Sequence, residues 1–515
     1  MMDNLKGFIA DFNAKADRSP DQVFAIFNGQ PITFATLKME SSAFASTLRR
    51  KGVQPGDRVA VMMRNSRLSL PVLFGIAKAG AVWVPINAQQ KGDGLCYMLE
   101  HSEPKLILCD PDFRSTISGC GAQLRSENIM LVGGDQDHSV PEAILLGESN
   151  FVDAVPDAHD LFAIMYTSGT TGRPKGVLVT HGMLRLAGEA VRTLTSMGPA
   201  DVFFVWEPLF HIGGAQLLVL PIIEDVTLAM VDRFSASRFW DQVRNSCATH
   251  IHYLGGILQI LLKQPGSLLD REHSVRIAWG GGCPQDVWPE FRDRFGVEIR
   301  ECYGMTEAAS ITTCNTKGVV GSVGKPTPWF SVSIEDEVGN PVASGNRGEI
   351  VVRSSLAGAL FKGYLRNQEA TGKALVNGAL HTGDAGTLDG DGNLWFHGRL
   401  TDSVRCKGEN VSAWEVERVV GTHPAVEDCA MIGVAADVGE QDIKLFVKAK
   451  TGKVIEPEHL SHWLSDRLAS YQNPRYITVV KEFERTPSQR IMKHLLPKDL
   501  NDCWDRLAAK EQARA

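Results

Sequence analysis

The chain has no apolar run long enough to cross a bilayer. Its longest, LPVLFGIAKAGAVWVPI (70–86), is broken by Lys78 and by Gly75 and Gly80, and it falls short of the ~20 residues that a spanning helix needs. It reads as a helix on a core followed by a buried strand. An excess of positive charge is missing too. Fifty-three Lys and Arg stand against 60 Asp and Glu, a net charge of −7, which gives no basic footprint and argues against a nucleic-acid partner. The ten cysteines include no Cys-x-x-Cys pair, and a chain of this size needs no disulfide framework. They are expected to be reduced thiols of a cytoplasmic protein. The N-terminal stretch MMDNLKGFIADFNAKADRSPDQ carries early acids and no continuous apolar core, so it is not expected to be a signal peptide. No fixed-period repeat and no low-complexity tract occurs.

At 515 residues the chain is too long for one core and divides into two or more domains. Short runs rich in Val and Ile recur: DRVAVMM (57–63), AVWVPI (81–86), PKLILCD (104–110), NIMLVG (128–133), VTLAMVD (226–232) and VRIAWG (275–280). Helical patterns separate them, which predicts α/β architecture with parallel sheets buried on both faces. From about 320 the texture becomes alternating, as in FSVSIEDEVGNPVASGNRGEIVVRS (330–354), with VGN and DGDGN turns. That pattern predicts antiparallel hairpins in a barrel-like subdomain. A last segment, with its own helix and strand signals, begins after GRLTD (398–402). The expected domains are 1–400 and 401–515.

One stretch stands out chemically: MYTSGTTGRPKGVLVTH (165–181). It is not the usual nucleotide loop, because no Gly precedes Lys175 and Gly176 follows it. Yet Gly169 and Gly172 let the backbone approach a ligand, and Thr167, Ser168, Thr170 and Thr171 supply hydroxyls. Successive amides in such a loop make an anion-binding concavity, and Lys175 adds a mobile point charge suited to phosphate.

This segment resembles the phosphate loop of the adenylate-forming superfamily, which includes acyl-CoA synthetases and the carnitine-CoA ligase-like group. Further motifs follow in that family's order across about residues 20 to 495. WEPLFHIGG (206–214) resembles the acyl-pocket segment; with AWGGGCP (278–284) and Gly304 of ECYGMTEAA (301–309) it implies a substrate pocket of Trp206, Phe210, His211, Gly214, Trp279, Gly280 and Gly304. The second motif also resembles a turn that lies against adenine, at Gly282, Cys283 and Pro284. Cys283 is read as a small apolar residue there, not as a nucleophile. ECYGMTEAA (301–309) resembles the Tyr-Gly-x-Thr-Glu motif. It implies nucleotide contacts from Glu301, Cys302, Tyr303, Gly304, Met305 and Thr306, with Glu307 as the carboxylate for Mg²⁺, a hard cation that takes one or two carboxylates plus phosphate oxygens. LHTGDAG (380–386) and GRLTD (398–402) offer Asp384 and Arg399 to the ribose and Asp402 as a hinge. VRCKGENVSAWEVE (404–417) resembles a loop that flanks the acceptor channel, with Lys407, Gly408 and also His211.

The resemblance breaks at ERTPSQRIMKHLL (484–496). The family has Gly-Lys where this chain has Gln489 and Arg490, so Arg490 is expected to do the catalytic lysine's work; the other outcomes are that Lys493 shares it or that the first half-reaction is slow. Taken together, the resemblance implies a large α/β N-terminal domain and a small mobile α+β C-terminal domain. It implies an ATP-dependent carboxylate:CoA ligase with Lys175, Thr306, Glu307 and Arg490 as catalytic residues. ATP, Mg²⁺ and coenzyme A are the expected cosubstrates, with no redox cofactor. The aromatic pocket favours a hydrophobic or aryl acid. A homodimer is compatible with this layout. The alternatives are a free-standing enzyme that loads a carrier protein and a nucleotide-binding homologue with weakened catalysis.

Overall fold

The computed structural model describes residues 7–121, 126–133, 139–145, 147–167, 173–400, 403–406, 409–436, 441–485 and 491–512. The chain divides into two compact units. The first comprises Met1–Val332 with Val352–Leu380, and the second Ser333–Val351 with His381–Ala515.

The first unit is built on two sheets. Its strands are β1 (Val23–Phe27), β2 (Gln30–Thr33), β3 (Arg58–Met62), β4 (Val82–Pro85), β5 (Leu106–Cys109), β6 (Ile129–Leu131), β7 (Leu161–Thr167) and β8 (Lys175–Thr180). They continue with β9 (Val202–Val205), β10 (Thr227–Met230), β11 (His250–Leu254), β12 (Ile277–Gly281), β13 (Glu298–Tyr303), β14 (Thr313–Cys314) and β15 (Lys325–Pro326). One sheet has the order β6-β5-β3-β4-β7-β8, the other β15-β14-β13-β12-β11-β9-β10-β1-β2. The central pairings are parallel, and the antiparallel ones fall at the edges, β7 with β8, β13 with β14, β14 with β15 and β1 with β2. The six runs rich in Val and Ile all become strands. Nearly every residue in them is buried, which is why they read as continuous apolar stretches.

Helices follow their local signals. The Thr180 hydroxyl accepts the Met183 amide N–H at 3.1 Å and starts the helix His181–Thr195, as an N-cap threonine should. Phe8 and Phe12 of the helix Phe8–Arg18 pack on Phe24, Phe34 and Phe74 with ring centroids 4.7–6.2 Å apart, tying the N-terminal segment to the core.

In the second unit, the strands Ala379–Leu388 and Leu394–Arg399 form the antiparallel hairpin predicted by DGDGN. The C-terminal segment forms a four-stranded sheet from Val426–Ala435, Gln441–Ala449, Tyr476–Val480 and Trp504–Asp505. The helices Ala413–Gly421 and Pro457–Ser465 bury Val416, Val420, Leu460 and Leu464 with Leu445 and Ile477 of that sheet.

One expectation is overturned. Cys96 and Cys120 are disulfide-bonded, with Cα atoms 4.8 Å apart, so the cysteines are not all free thiols. The helices Gly92–Ser102 and Arg114–Ser118 share a core through Leu95, Leu99 and Ile117. That packing brings together two cysteines 24 residues apart, a spacing that matches no motif. Among the described residues no helix is long and apolar enough to cross a membrane.

Candidate active site

The phosphate-loop segment is the connection of an antiparallel hairpin. Thr167 at the end of β7 lies opposite Lys175 at the start of β8, and Tyr166 lies opposite Gly176. Ser168, Gly169, Thr170, Thr171 and Gly172 lie outside the described residues. The hairpin's base is braced from one side. The Tyr166 hydroxyl shares a hydrogen bond with His101 Nδ1 at 2.8 Å, and the Arg173 guanidinium lies over the Tyr97 ring at 5.1 Å.

Two residues far apart in sequence meet through a third. Lys175 Nζ stands 5.1 Å from the centroid of the Tyr364 ring. The Tyr364 hydroxyl donates to Glu307 Oε1 at 2.8 Å. The Phe361 amide N–H also donates to the Glu307 carbonyl at 2.9 Å, and Tyr364 bridges Val177 in β8. The segment around 361–365 therefore laces the short helix Thr306–Ala308 to the lysine-bearing strand. Lys175 and Glu307 were both anticipated from sequence; Tyr364 was not. No motif marks it, because its partners lie 57 residues away at Glu307 and on a different strand.

The turn expected against adenine is held from behind by Glu301. Its Oε1 accepts the Gly282 and Cys283 amide N–H groups at 2.9 and 2.8 Å, and its Oε2 accepts the Tyr253 hydroxyl at 2.5 Å. Both carboxylate oxygens are thus engaged by protein donors. Burial pushes the Glu301 carboxyl up to about 7, and the three donors oppose that rise. Burial also pushes the Cys283 thiol far up, which keeps it protonated at neutral pH, as befits a wall residue. Cys302 pairs across the sheet with Cys314, and Tyr303 with Thr313. A Cβ on Gly304 would come within 1.8 Å of the Ser310 carbonyl oxygen, so only glycine fits there. Met305 N-caps the turn that carries Thr306, a buried residue.

The anticipated acyl wall is aromatic. Trp206 and Trp279 are buried, and the Phe210 and His211 rings lie 4.6 Å apart. A Cβ on Gly280 would meet the Tyr253 carbonyl oxygen at 1.9 Å, so the close approach of β11 and β12 requires glycine. Gly214 is buried against the Pro208 backbone.

In the second unit, Asp384 and Arg399 are cross-strand neighbours in the hairpin, with Asp384 Oδ1 3.4 Å from Arg399 Nε. Asp384 is buried, and its amide N–H donates to the Thr382 hydroxyl at 3.1 Å. Lys493, the alternative cation near the C-terminus, is ion-paired with Glu417 at 2.8 Å. Arg490, Lys407, Gly408 and Asp402 lie outside the described residues.

Residues 12–365 match the model of the AMP-binding enzyme family, and residues 415–490 that of the AMP-binding enzyme C-terminal domain. This chain belongs to the AMP-binding enzyme family. The crotonobetaine/carnitine–CoA ligase of Salmonella typhimurium is 29% identical over 518 residues, covering 96% of this chain and 97% of its own. ATP-bound MatB from Rhodopseudomonas palustris superposes with a TM-score of 0.88 at 27% identity, over 95% of this chain and 98% of that one. The o-succinylbenzoate CoA synthetase MenE from Bacillus subtilis, in complex with the acyl-adenylate intermediate OSB-AMP, gives 0.86 at 26% identity, over 96% and 99%. The family match spans both the phosphate hairpin and Glu307 of this AMP-binding enzyme, and it ends at Leu365, one residue past Tyr364.

Proposed function

We infer that this AMP-binding enzyme is an ATP-dependent carboxylate:CoA ligase acting on a hydrophobic or aryl acid. The observation that carries this reading is the Lys175–Tyr364–Glu307 cluster at the mouth of the phosphate hairpin. A cation and an anchored carboxylate side by side suit a nucleotide that carries both phosphate charge and a divalent ion.

In the first half-reaction a carboxylate oxygen of the acid attacks the α-phosphorus of ATP. The bond from that phosphorus to the bridging oxygen breaks, pyrophosphate leaves and an acyl-adenylate forms. Such a transfer needs positioning and charge stabilisation more than covalent help. Lys175 and Arg490 meet the phosphate charge, with the hydroxyls of Thr167, Ser168, Thr170, Thr171 and Thr306 around it. Glu307 suits a magnesium ion that arrives on ATP, because such an ion asks the protein for only one or two carboxylates. The Tyr364 hydroxyl occupies one Glu307 oxygen and fixes the carboxylate's orientation; the second oxygen would meet the ion. Magnesium, when bound, offsets charge on the leaving pyrophosphate. Asp384 and Arg399 serve the ribose, and the turn at Gly282–Pro284, held by Glu301, serves the adenine.

In the second half-reaction the coenzyme A thiolate attacks the acyl carbonyl carbon and AMP leaves. Gly408, Lys407 and His211 flank the acceptor's path, with Asp402 as the hinge between the expected domains 1–400 and 401–515. The relatives named for CoA ligase and CoA synthetase activity, one with a bound acyl-adenylate, support this order of events.

The test is acid-dependent pyrophosphate release from Mg·ATP, followed by thioester formation when coenzyme A is added. Pyrophosphate release that is indifferent to every acid, or thioester formed only on a carrier protein, would overturn the reading.

A further inference from the structure

A buried acid–imidazole pair lies in contact with the aromatic wall. Glu207, inside WEPLFH, is 1% exposed, and His252 on β11 is 4% exposed. Glu207 Oε1 touches His252 Nδ1. The loop that carries Glu207 is pinned by Asn65, whose amide donates to the Glu207 carbonyl at 2.7 Å and whose oxygen accepts the Leu209 amide N–H at 3.3 Å. On the other side the His252 ring lies 4.1 Å from the Trp279 ring, and the Trp206 indole N–H donates to the His252 carbonyl at 2.9 Å. A Cβ on Gly213 would stand 3.6 Å from His252 Cε1. The pair therefore touches the wall at Trp206, Trp279 and Gly213.

Its hydrogen bonding is incomplete. Burial drives the His252 imidazole down to about 3, against the pull of the Glu207 carboxylate beside it, and a neutral imidazole offers Nδ1 at most one proton. A carboxylate has about four lone-pair sites. Glu207 Oε1 meets His252 Nδ1, but among the described residues no donor reaches Glu207 Oε2. A buried carboxylate in that condition costs free energy until a donor reaches it. A purely apolar acid would leave that cost in place.

We propose that Glu207, held by His252, recognises an N–H or O–H donor on the acyl part of the acid substrate. The inference rests on the ligase reading above and narrows it: the acid is hydrophobic or aryl but carries a hydroxyl or amino group that reaches the wall. Glu207 would then bind substrate directly, and His252 would position it. A site built to hydrogen-bond a substrate group discriminates far more sharply against the analogue that lacks it than an apolar pocket discriminates a methylene.

The experiment ranks kcat/KM for CoA-thioester formation over benzoate and its hydroxy, amino and methoxy derivatives at each ring position, with butanoate and its hydroxy derivatives as an aliphatic series. The proposal expects at least one donor-bearing acid to exceed its unsubstituted and methoxy counterparts by roughly a thousandfold or more. Glu207→Leu should reduce that ratio to within about tenfold by losing the donor-bearing acid, and Glu207→Gln should fall between the two. A rise in melting temperature on adding ATP confirms that each variant is folded. A merely structural pair would lower melting temperature without changing the ranking. Wild-type enzyme that turns over acids without regard to the donor overturns the proposal and leaves the ligase reading standing, and this outcome needs no variant. If no acid releases pyrophosphate, the ligase reading falls and the proposal falls with it.

Discussion

Removing the Tyr364 hydroxyl would leave its ring beneath Lys175 and take one donor from Glu307. Hydrogen bonds to charged groups are worth about 1.5–3 kcal/mol, so Tyr364→Phe should slow adenylate formation by roughly tenfold to a hundredfold. The magnesium concentration for half-maximal rate should rise with it. A titration of initial rate against magnesium checks this; an unchanged magnesium requirement would reduce Tyr364 to a packing residue. Glu301 makes a second case. Glu301→Ala strands the Gly282 and Cys283 amides, which costs about 1–3 kcal/mol when buried donors lose their partner. The expected kinetic result is a raised KM for ATP with little change in KM for the acid. Equal effects on both would place Glu301 in general folding rather than at the nucleotide turn.

The helix Gly92–Ser102 couples a covalent link to the phosphate hairpin. Cys96 is bonded to Cys120, and the neighbouring Tyr97 and His101 touch Arg173 and Tyr166 at the hairpin's base. Closing a loop of this length stabilises a fold by about 3 kcal/mol in the chain-entropy model. Cys96→Ser should therefore lower the melting temperature by several degrees, and thiol counting on the non-reduced wild type should find Cys96 and Cys120 protected. Full labelling of both would mean that the pair is reduced in the isolated protein.

What could be read from sequence sorts along the same lines. The strands β3, β4, β5 and β12 announced themselves because burial on both faces forces continuous Val and Ile runs, and the hairpin around DGDGN did so through its turn residues. Lys175, Glu307, Asp384 and Arg399 could be singled out as candidates because each sits inside a short motif. Tyr364, the Cys96–Cys120 bond and the Glu207–His252 pair were not. Each exists only because packing brings together positions that share no local pattern, and a single sequence carries no signal for such a meeting.

Taken over both units, buried imidazoles make acid the weak side of this protein. Burial holds His181 and His250 at about 4, His252 at about 3 and, in the second unit, His397 at about 4, all below the ordinary value of 6.5. Between about pH 4 and 6.5 the unfolded chain binds protons that the folded one refuses, so stability rises with pH across that window and is lost on acidification. Glu301 works the other way: its raised value means that the folded form holds the proton between 4.5 and about 7. Burial raises Asp110 as well, and two carboxyls against four imidazoles leave the net sign unchanged. Urea midpoints should therefore be lower at pH 5 than at pH 7.5. A midpoint that is equal or higher at pH 5 would mean that the imidazoles are charged in the fold.

The whole account rests on a triphosphate held beside Lys175 and Glu307 for attack by an organic acid. Exchange of labelled pyrophosphate into ATP, measured with magnesium and a broad set of acids, reads that step alone. The prediction is exchange that depends on the acid and falls at least about a hundredfold in Lys175→Ala. Exchange absent with every acid, or undiminished in Lys175→Ala, would contradict it.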